Sequence, residues 1–346
     1  MGTKPSFLDA VREAVRGPGW APGRRSSGGT MPSLGGATGW LGSPPLTADG
    51  LRGSVVAVDF WTYTCINWLR TVPYVRAWHE AYRDAGLVVL GVHTPEFPFE
   101  RDVDNVRRAI QSRRIGFPVA VDSDYAIWTA FTNMYWPALY LVDAEGEIRW
   151  SHFGEGAYEE SEQMIRRLLT GAGRGDALPE PVTVEAHGIE APADWATLRS
   201  AENYLGSERT DNFASPERGG TGTPRRYSVP PRLAPGNWAI SGQWTVLRDA
   251  VTLHDPGGTI TCRFSARDVH LVMTPGVGGT PVRFGVRLDG RPPGADSGDD
   301  VDPDGRGTLS EPRLYQLIRR RGAVRDGTFE ITFHDPGVQA FAFTFG

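Results

Sequence analysis

Apolar and polar positions change rhythm along this chain, and the change divides it in two. The run VVAVDFW (55–61) is apolar almost throughout, the pattern of a strand buried on both faces. Behind it Ile66, Leu69, Val72, Val75 and Trp78 recur at helical spacing and predict a helix with one apolar stripe. A second buried strand, LVVLGVH (87–93), follows. Next comes an amphipathic helix over 102–115 with Val103, Val106, Ile110 and Ile115 towards one side. The strand FPVAVD, a helical DYAIWTAF, the strand ALYLVD, a turn at Glu145-Gly146 and the strand EIRWSHF continue the alternation. EESEQMIRRLL ends it as a helix with acidic residues first and Gly171 behind, the polarity its dipole favours. Strands alternating with helices over residues 31–172 predict an α/β sheet with crossover helices.

Residues 173–200 are rich in Gly, Pro and small side chains and read as a linker. From residue 201 the period falls to two. TITCRFSA, VHLVMT, VRFGVRLDG, TFEITFHD and QAFAFTF alternate between Gly, Pro and Asp turns, which predicts an all-β sandwich or jelly roll over 201–346. Residues 1–30 hold one weak helical pattern and a Gly/Pro/Ser/Arg-rich run, and read as a flexible leader.

Composition narrows the function classes. A net charge of −5 gives no general attraction to nucleic acid or anionic membrane, and RRRGAVR (319–325) reads as a solvated edge. No run approaches the ~18 apolar residues of a membrane-spanning helix. The N-terminal stretch carries charges throughout, and Arg24-Arg25 precedes SSGGT instead of a hydrophobic segment, so no export signal is read. Two cysteines, Cys65 and Cys262, cannot build a disulfide framework or a four-cysteine metal site. That usage fits a reducing compartment, and the expected address is cytoplasmic.

The chemistry concentrates at DFWTYTCINW (59–68). Cys65 sits where a strand gives way to a helix, and the unpaired N–H groups of a helix N-terminus favour a thiolate. The competing reading is a small buried residue, a common fate of cysteine. Asp59, inside the apolar strand, is a carboxylate whose burial should raise its pKa. Pro73 falls within the helix, and Trp136-Pro137 precedes a strand at a place suited to a cis bond.

These segments resemble the thioredoxin fold, in particular its TlpA-like redoxin branch and the soluble C-terminal part of DipZ-type proteins. The resemblance rests on FWTYTCIN, GVHTPEF, NMYWPALYLVD and HFGEGAYEESEQMIRRLL. It continues through NYLGSERTDNF, WAISGQWT and FEITFHDPGVQAFAFTFG, and so covers roughly residues 31–346. It implies a thioredoxin-like α/β domain followed by a β-sandwich likened to carbohydrate-binding modules, and an activity in thiol–disulfide exchange or peroxide reduction. Cys65 matches the attacking cysteine, Asp59 the buried proton-moving acid and Pro137 the cis-proline. Trp136 is then expected to line the groove where a disulfide partner docks, with Trp61, Trp68, Thr62, His93 and Glu96 around it.

Two departures follow. The resemblance does not extend to the membrane portion of DipZ-type proteins, and the expected CxxC pair reads Cys65-Ile-Asn-Trp68. One thiol can form a mixed disulfide or a sulfenic acid but cannot resolve it locally. Cys262, in an alternating strand pattern, reads as a core residue. Thr62 occupies the threonine of a TxxC motif, while Val58 stands where that motif has proline. The expected function is a single-cysteine, thiol-based oxidoreductase or antioxidant acting on protein or small-molecule thiols, disulfides or peroxide. The alternative is a redox-inactive adaptor, with Trp68 covering the sulfur and the sandwich binding glycan or protein.

Two features of the second half complete the expectations. Asp300, Asp302, Asp304, Gly305 and Glu311 satisfy a calcium-loop pattern, although Pro303 and strand-like flanks argue against an EF-hand. Calcium is the only cofactor candidate. Trp238 and Trp244 are either core residues or a sugar-stacking platform.

Overall fold

Among the residues that the computed structural model describes (29–175, 178–217, 221–276 and 278–346), the change of period marks a change of architecture. The chain divides between Ala191 and Pro192 into two compact units. The leader expected over 1–30 lies outside the described residues except at its end, which is pinned. Gly29 accepts a hydrogen bond from the Ile148 N–H, and Met31 donates one to the Gly146 carbonyl.

In the first unit β1 (Gly39–Leu41), β2 (Val55–Trp61), β3 (Leu87–His93), β4 (Val119–Val121), β5 (Ala138–Val142) and β6 (Ile148–Phe153) form one sheet. Their order is β1-β4-β3-β2-β5-β6, with β2, β3 and β4 parallel and the remaining neighbours antiparallel. Helices α1 (Ile66–Tyr82), α2 (Val103–Ser112), α3 (Ala126–Ala130) and α4 (Tyr158–Gly171) connect and follow these strands. This is a thioredoxin-like α/β fold.

All seven residues of β2 are buried, as a central strand covered on both faces requires. Its alternation then assigns side chains to opposite layers. Phe60 meets Trp128, Phe131 and Tyr140 in edge-on contacts at 5.2–5.9 Å. Asp59 and Trp61 point the other way and meet Trp68 of α1. Gly91, opposite Asp59 on β3, keeps that layer thin, because a Cβ there would lie 2.9 Å from the Trp61 indole nitrogen.

Helix α1 continues past Pro73, and its stripe Leu69, Val72 and Val75 is buried. Helix α2 stops earlier than its sequence predicts, because Arg114 turns to a φ of 52°. It buries Asn105, Val106 and Ala109, while Val103, at the first position, stays exposed. Residues beyond α4 are tied back onto the first unit. The Glu190 carboxylate accepts two hydrogen bonds from Arg76, at 3.1 and 2.7 Å, and Glu162 accepts one from the Val182 N–H. Past Pro192 the contacts belong to the second unit, where Ser265 N–H donates to Ser200 Oγ at 2.8 Å.

The second unit is all-antiparallel. Its strands are β7 (Asn203–Tyr204), β8 (Arg225–Tyr227), β9 (Trp238–Val246), β10 (Val251–Leu253), β11 (Thr259–Phe264), β12 (Asp268–Thr274), β13 (Val282–Leu288), β14 (Arg306–Leu309), β15 (Arg313–Arg319), β16 (Gly327–Phe333) and β17 (Gln339–Phe345). The main path runs β14-β13-β16-β11-β9-β10-β17-β12-β15. This sheet curls so that both halves contribute to one core, from Phe284 and Phe329 on one side to Leu271 and Phe343 on the other. Strand β9 is the corner. Its first residues pair with β11 and its last with β8 and β10. The pairing switches at Gly242, whose φ of 99° suits glycine and where an added Cβ would lie 2.9 Å from the Gly258 α-carbon.

Candidate active site

Three loops at the same end of the first sheet build the site around Cys65. The turn after β2 is closed by the Cys65 N–H, which donates to the Thr62 carbonyl at 3.3 Å. Cys65 caps α1 in an extended conformation (φ −72°, ψ 114°), and its carbonyl accepts the first helical bond, from Leu69 at 2.9 Å. The residue is partly exposed, and its thiol lies 3.7 Å from the Trp136 carbonyl, to which it can donate. Trp136 precedes Pro137 through a cis peptide. The Trp136 indole, also partly exposed, donates to the Thr94 carbonyl at 3.1 Å and packs at 4.3 Å against Trp128. One residue therefore joins the cysteine, the cis-proline turn and the loop after β3.

Trp68 turns towards the sheet. It is fully buried, stacked on Trp61 at 4.3 Å and 20°, and its indole N–H donates to Asp59 Oδ2 at 2.9 Å. The helical stripe that buries Leu69 and Val72 turns residue 68 inward, away from the groove. Asp59 Oδ1 has no hydrogen-bond partner among the described residues. Burial pushes the Asp59 carboxyl up to about 7, against the lowering effect of the Trp68 hydrogen bond.

The expected groove shrinks accordingly. Trp61, Thr62 and His93 are fully buried, so with Trp68 they form the layer beneath the turn instead of an accessible wall. His93 lies edge-on to Trp61 at 4.8 Å and stacked against Tyr63 at 5.7 Å. Burial pulls its pKa down to about 3, so it is neutral and no source of positive charge for a thiolate. Of the expected lining, only Trp136 and Glu96 remain partly exposed beside Cys65.

Two carboxyl groups, one fully buried and one mostly so, are absent from the expectations above. Glu100, fully buried in a helical turn over Pro98–Arg101, accepts four hydrogen bonds. Oε1 takes them from Thr64 Oγ1 at 2.7 Å and the Thr64 N–H at 3.3 Å, and Oε2 from the N–H groups of Glu96 and Phe97 at 2.6 and 2.8 Å. Burial pushes its carboxyl up to about 7, although the accepted hydrogen bonds pull the other way. The signal for it is local: Pro98 opens the turn, and Glu100 at the third position reaches back to the Phe97 N–H, the half of a capping box that a glutamate supplies. Glu155, after β6, pairs with the buried Arg70 of α1 at 3.4 Å, and burial raises it to about 7 against the pull of Arg70.

The second unit corrects two expectations. Asp300, Asp302, Asp304 and Glu311 do not converge, and among the described residues no three acidic, histidine or cysteine side chains gather as a metal site. Their carboxylates serve the protein itself. Asp300 accepts from Arg313 at 2.6 Å and from the Gln316 N–H at 2.7 Å, Asp302 accepts from the Arg306 N–H at 2.7 Å, and Asp304 pairs with the Arg306 side chain at 3.1 Å. Glu311 contributes its carbonyl, which accepts from the Tyr315 hydroxyl. Trp238 and Trp244 are core residues whose indoles donate to the carbonyls of Asp211 and Ser241, so neither offers a ring face to a sugar. Cys262 is fully buried, and burial pushes its thiol up to about 12.

Comparison with known proteins follows the same division. Residues 42–151 match the AhpC/TSA family and residues 200–346 match the family described as a thioredoxin like C-terminal domain. The chain is 36% identical over 321 residues to Protein DipZ of Mycobacterium bovis, covering 92% of this chain and 43% of that protein. The DipZ protein of Mycobacterium tuberculosis matches with the same figures. The chain thus spans less than half the length of these relatives. Thiol-disulfide oxidoreductase YkuV of Bacillus subtilis is 29% identical over 139 residues, 40% of this chain and 93% of YkuV. Among solved structures, a thioredoxin-like protein in its oxidized form matches at a TM-score of 0.38 and 30% identity, over 41% of this chain and 95% of that one.

Proposed function

Because the chain belongs to the thioredoxin-like redoxins related to DipZ, we propose that it is a one-thiol oxidoreductase whose nucleophile is Cys65. The observation that carries this reading is the placement of Cys65, partly exposed at the start of α1 with its thiol beside the Trp136 carbonyl, while Trp68 turns inward to Asp59. The Cys65 thiolate attacks one sulfur of a disulfide, forming a mixed disulfide and expelling the other sulfur as a thiolate, which takes up a proton. A second, external thiol then attacks the mixed disulfide, regenerates Cys65 and leaves as a new disulfide. The partly exposed Trp136 orients the partner. Asp59, hydrogen-bonded to an indole, is a buried structural acid in this reading.

Peroxide reduction is the second reading, favoured by the AhpC/TSA match over residues 42–151. The thiolate would attack one peroxide oxygen, become a sulfenic acid and release hydroxide, and two external thiols would reduce it back with loss of water. Two cysteines present as thiols fit a reducing compartment, and the cytoplasm is the proposed address.

The test is to trap the intermediate. Full-length protein mixed with oxidised glutathione should gain one glutathione on Cys65, located by peptide mass spectrometry and removed by excess thiol. Failure of native Cys65 to form an adduct that the unfolded chain forms readily would overturn the enzyme reading in favour of the adaptor. Hydrogen peroxide, with sulfenic acid trapped by dimedone, separates the two oxidants.

A further inference from the structure

Asp59 and Glu100 are the fully buried carboxyls nearest in the chain and in hydrogen bonding to the Cys65 turn, and they differ in what they are bonded to. The Trp68 indole donates and never accepts, so the bond it makes to Asp59 passes no proton towards residue 65. The Thr64 hydroxyl, bonded to Glu100, can do either. Resting on the reading of Cys65 as the attacking thiol, we propose that Glu100 is the positioning residue for that thiol, acting through Thr64.

Three of the four groups that Glu100 accepts from are backbone N–H groups, on Thr64, Glu96 and Phe97, and these have no other role than donor. The fourth, Thr64 Oγ1, makes the shortest hydroxyl bond to the carboxyl and can reverse it; the buried Thr62 hydroxyl faces the same carboxyl. With the carboxylate charged, all four donate to it, and one side chain ties the turn after β2 to the loop after β3. Thr64 is covalently joined to Cys65, and the same turn holds the Cys65 N–H on Thr62. A proton added to Oε1 can point at Thr64 Oγ1, 2.7 Å away. The threonine hydrogen then swings away, and the 3.3 Å bond from the Thr64 N–H weakens, because one oxygen now both donates and accepts. The turn therefore has two hydrogen-bonded states, selected by one buried proton.

Several titratable groups face this carboxyl. Glu96 comes from its own loop, Tyr63 from the turn after β2 and Tyr125 from the turn before α3, with Arg101, Asp102, Arg108 and Asp122 beyond them. The tyrosines are raised chiefly by burial and stay neutral through the range in which Glu100 charges.

The experiment follows the rate of Cys65 alkylation by iodoacetamide against pH in the full-length chain, read by peptide mapping so that Cys262 is scored separately. Thiol protonation alone lowers the rate about tenfold per pH unit. Where Glu100 also takes up a proton, the wild-type fall should be steeper than that, approaching about thirtyfold per unit. Glu100→Gln should react about tenfold more slowly than wild type above pH 8, through loss of the charged acceptor, and should show only the single slope below it. Thr64→Val should behave like Glu100→Gln, Thr64→Ser should restore the wild-type profile, and Asp59→Asn should keep the steep limb. An unchanged profile in Glu100→Gln and Thr64→Val, or loss of the steep limb in Asp59→Asn, overturns the role of Glu100. If Glu100→Gln does not fold, the Thr64 pair decides alone. A wild-type Cys65 that resists alkylation at every pH overturns the one-thiol reading and this role together, whereas a reactive Cys65 with unaltered variants overturns the role only.

Discussion

Cys65 stands where a strand gives way to a helix, partly exposed and 3.7 Å from the Trp136 carbonyl. Cys262 stands in the middle of β11, opposite Phe329 on one side and Trp238 on the other, fully buried with its thiol raised to about 12. The side chains are identical and the backbones decide between them. A strand interior satisfies its own N–H groups and leaves a thiol only apolar neighbours, which disfavour its charged form. A helix start leaves N–H groups to face the thiol and opens a groove beside it.

The comparison breaks most decisively at Cys65. Cys65→Ser should abolish the glutathione adduct of the folded protein, while Cys262→Ala leaves it at the wild-type level, as intact-mass measurement would read. Trp68→Cys sharpens the contrast next, since it returns a second thiol to the turn. The mixed disulfide at Cys65 should then decay at least about tenfold faster in the absence of added thiol. Removing the buried indole should also lower stability by about 3–5 kcal/mol in urea unfolding. A mixed disulfide as long-lived as in the wild type would show that a thiol at position 68 cannot reach it.

Asp59→Asn is expected to act through pH. The folded carboxyl is held near 7 against an ordinary 3.8, so its contribution to stability is complete below about pH 4 and is lost as pH rises through 7. A shift of about three pH units corresponds to roughly 4 kcal/mol across that window. The variant's unfolding free energy should accordingly fall less between pH 4 and 8 than the wild type's. A remaining slope of the same sign is expected from Glu100 and Glu155, both raised by burial. At Cys262, loss of the buried sulfur should cost about 1–2 kcal/mol without changing Cys65 alkylation. Least of all, millimolar calcium should leave the melting temperature unmoved, because the carboxylates of Asp300 and Asp302 are already engaged by Arg313 and backbone N–H groups.

Much of this was legible in the order of residues. The period of VVAVDFW places Asp59 in a buried strand, and the strand-to-helix junction places Cys65 at a helix start. The spacing that turns Leu69 and Val72 inward includes Trp68 as well, four residues before Val72. What spacing does not convey is that the inward indole meets a carboxylate on the neighbouring strand, a relation set by how α1 lies on the sheet. Glu100 was obscured for a related reason. Its bonds to the N–H groups of Glu96 and Phe97 are local, but the one from Thr64 comes from 36 residues earlier in the chain. The acidic loop at 300–311 shows the opposite failure, where a pattern of residue types is complete and the backbone geometry that would make them converge is missing. Trp238 and Trp244 were ambiguous because alternation reports which residues share a face and leaves open which face is wet.

The switch of pairing along β9 at Gly242 has a further consequence. A single strand supplies hydrogen-bonding edges to both halves of the curled sheet, so neither half can detach its partner strands without exposing the backbone of the other. The second unit is therefore built to melt as one cooperative block. Its slowest-exchanging amides should cluster along β9 on either side of residue 242 and share one opening free energy.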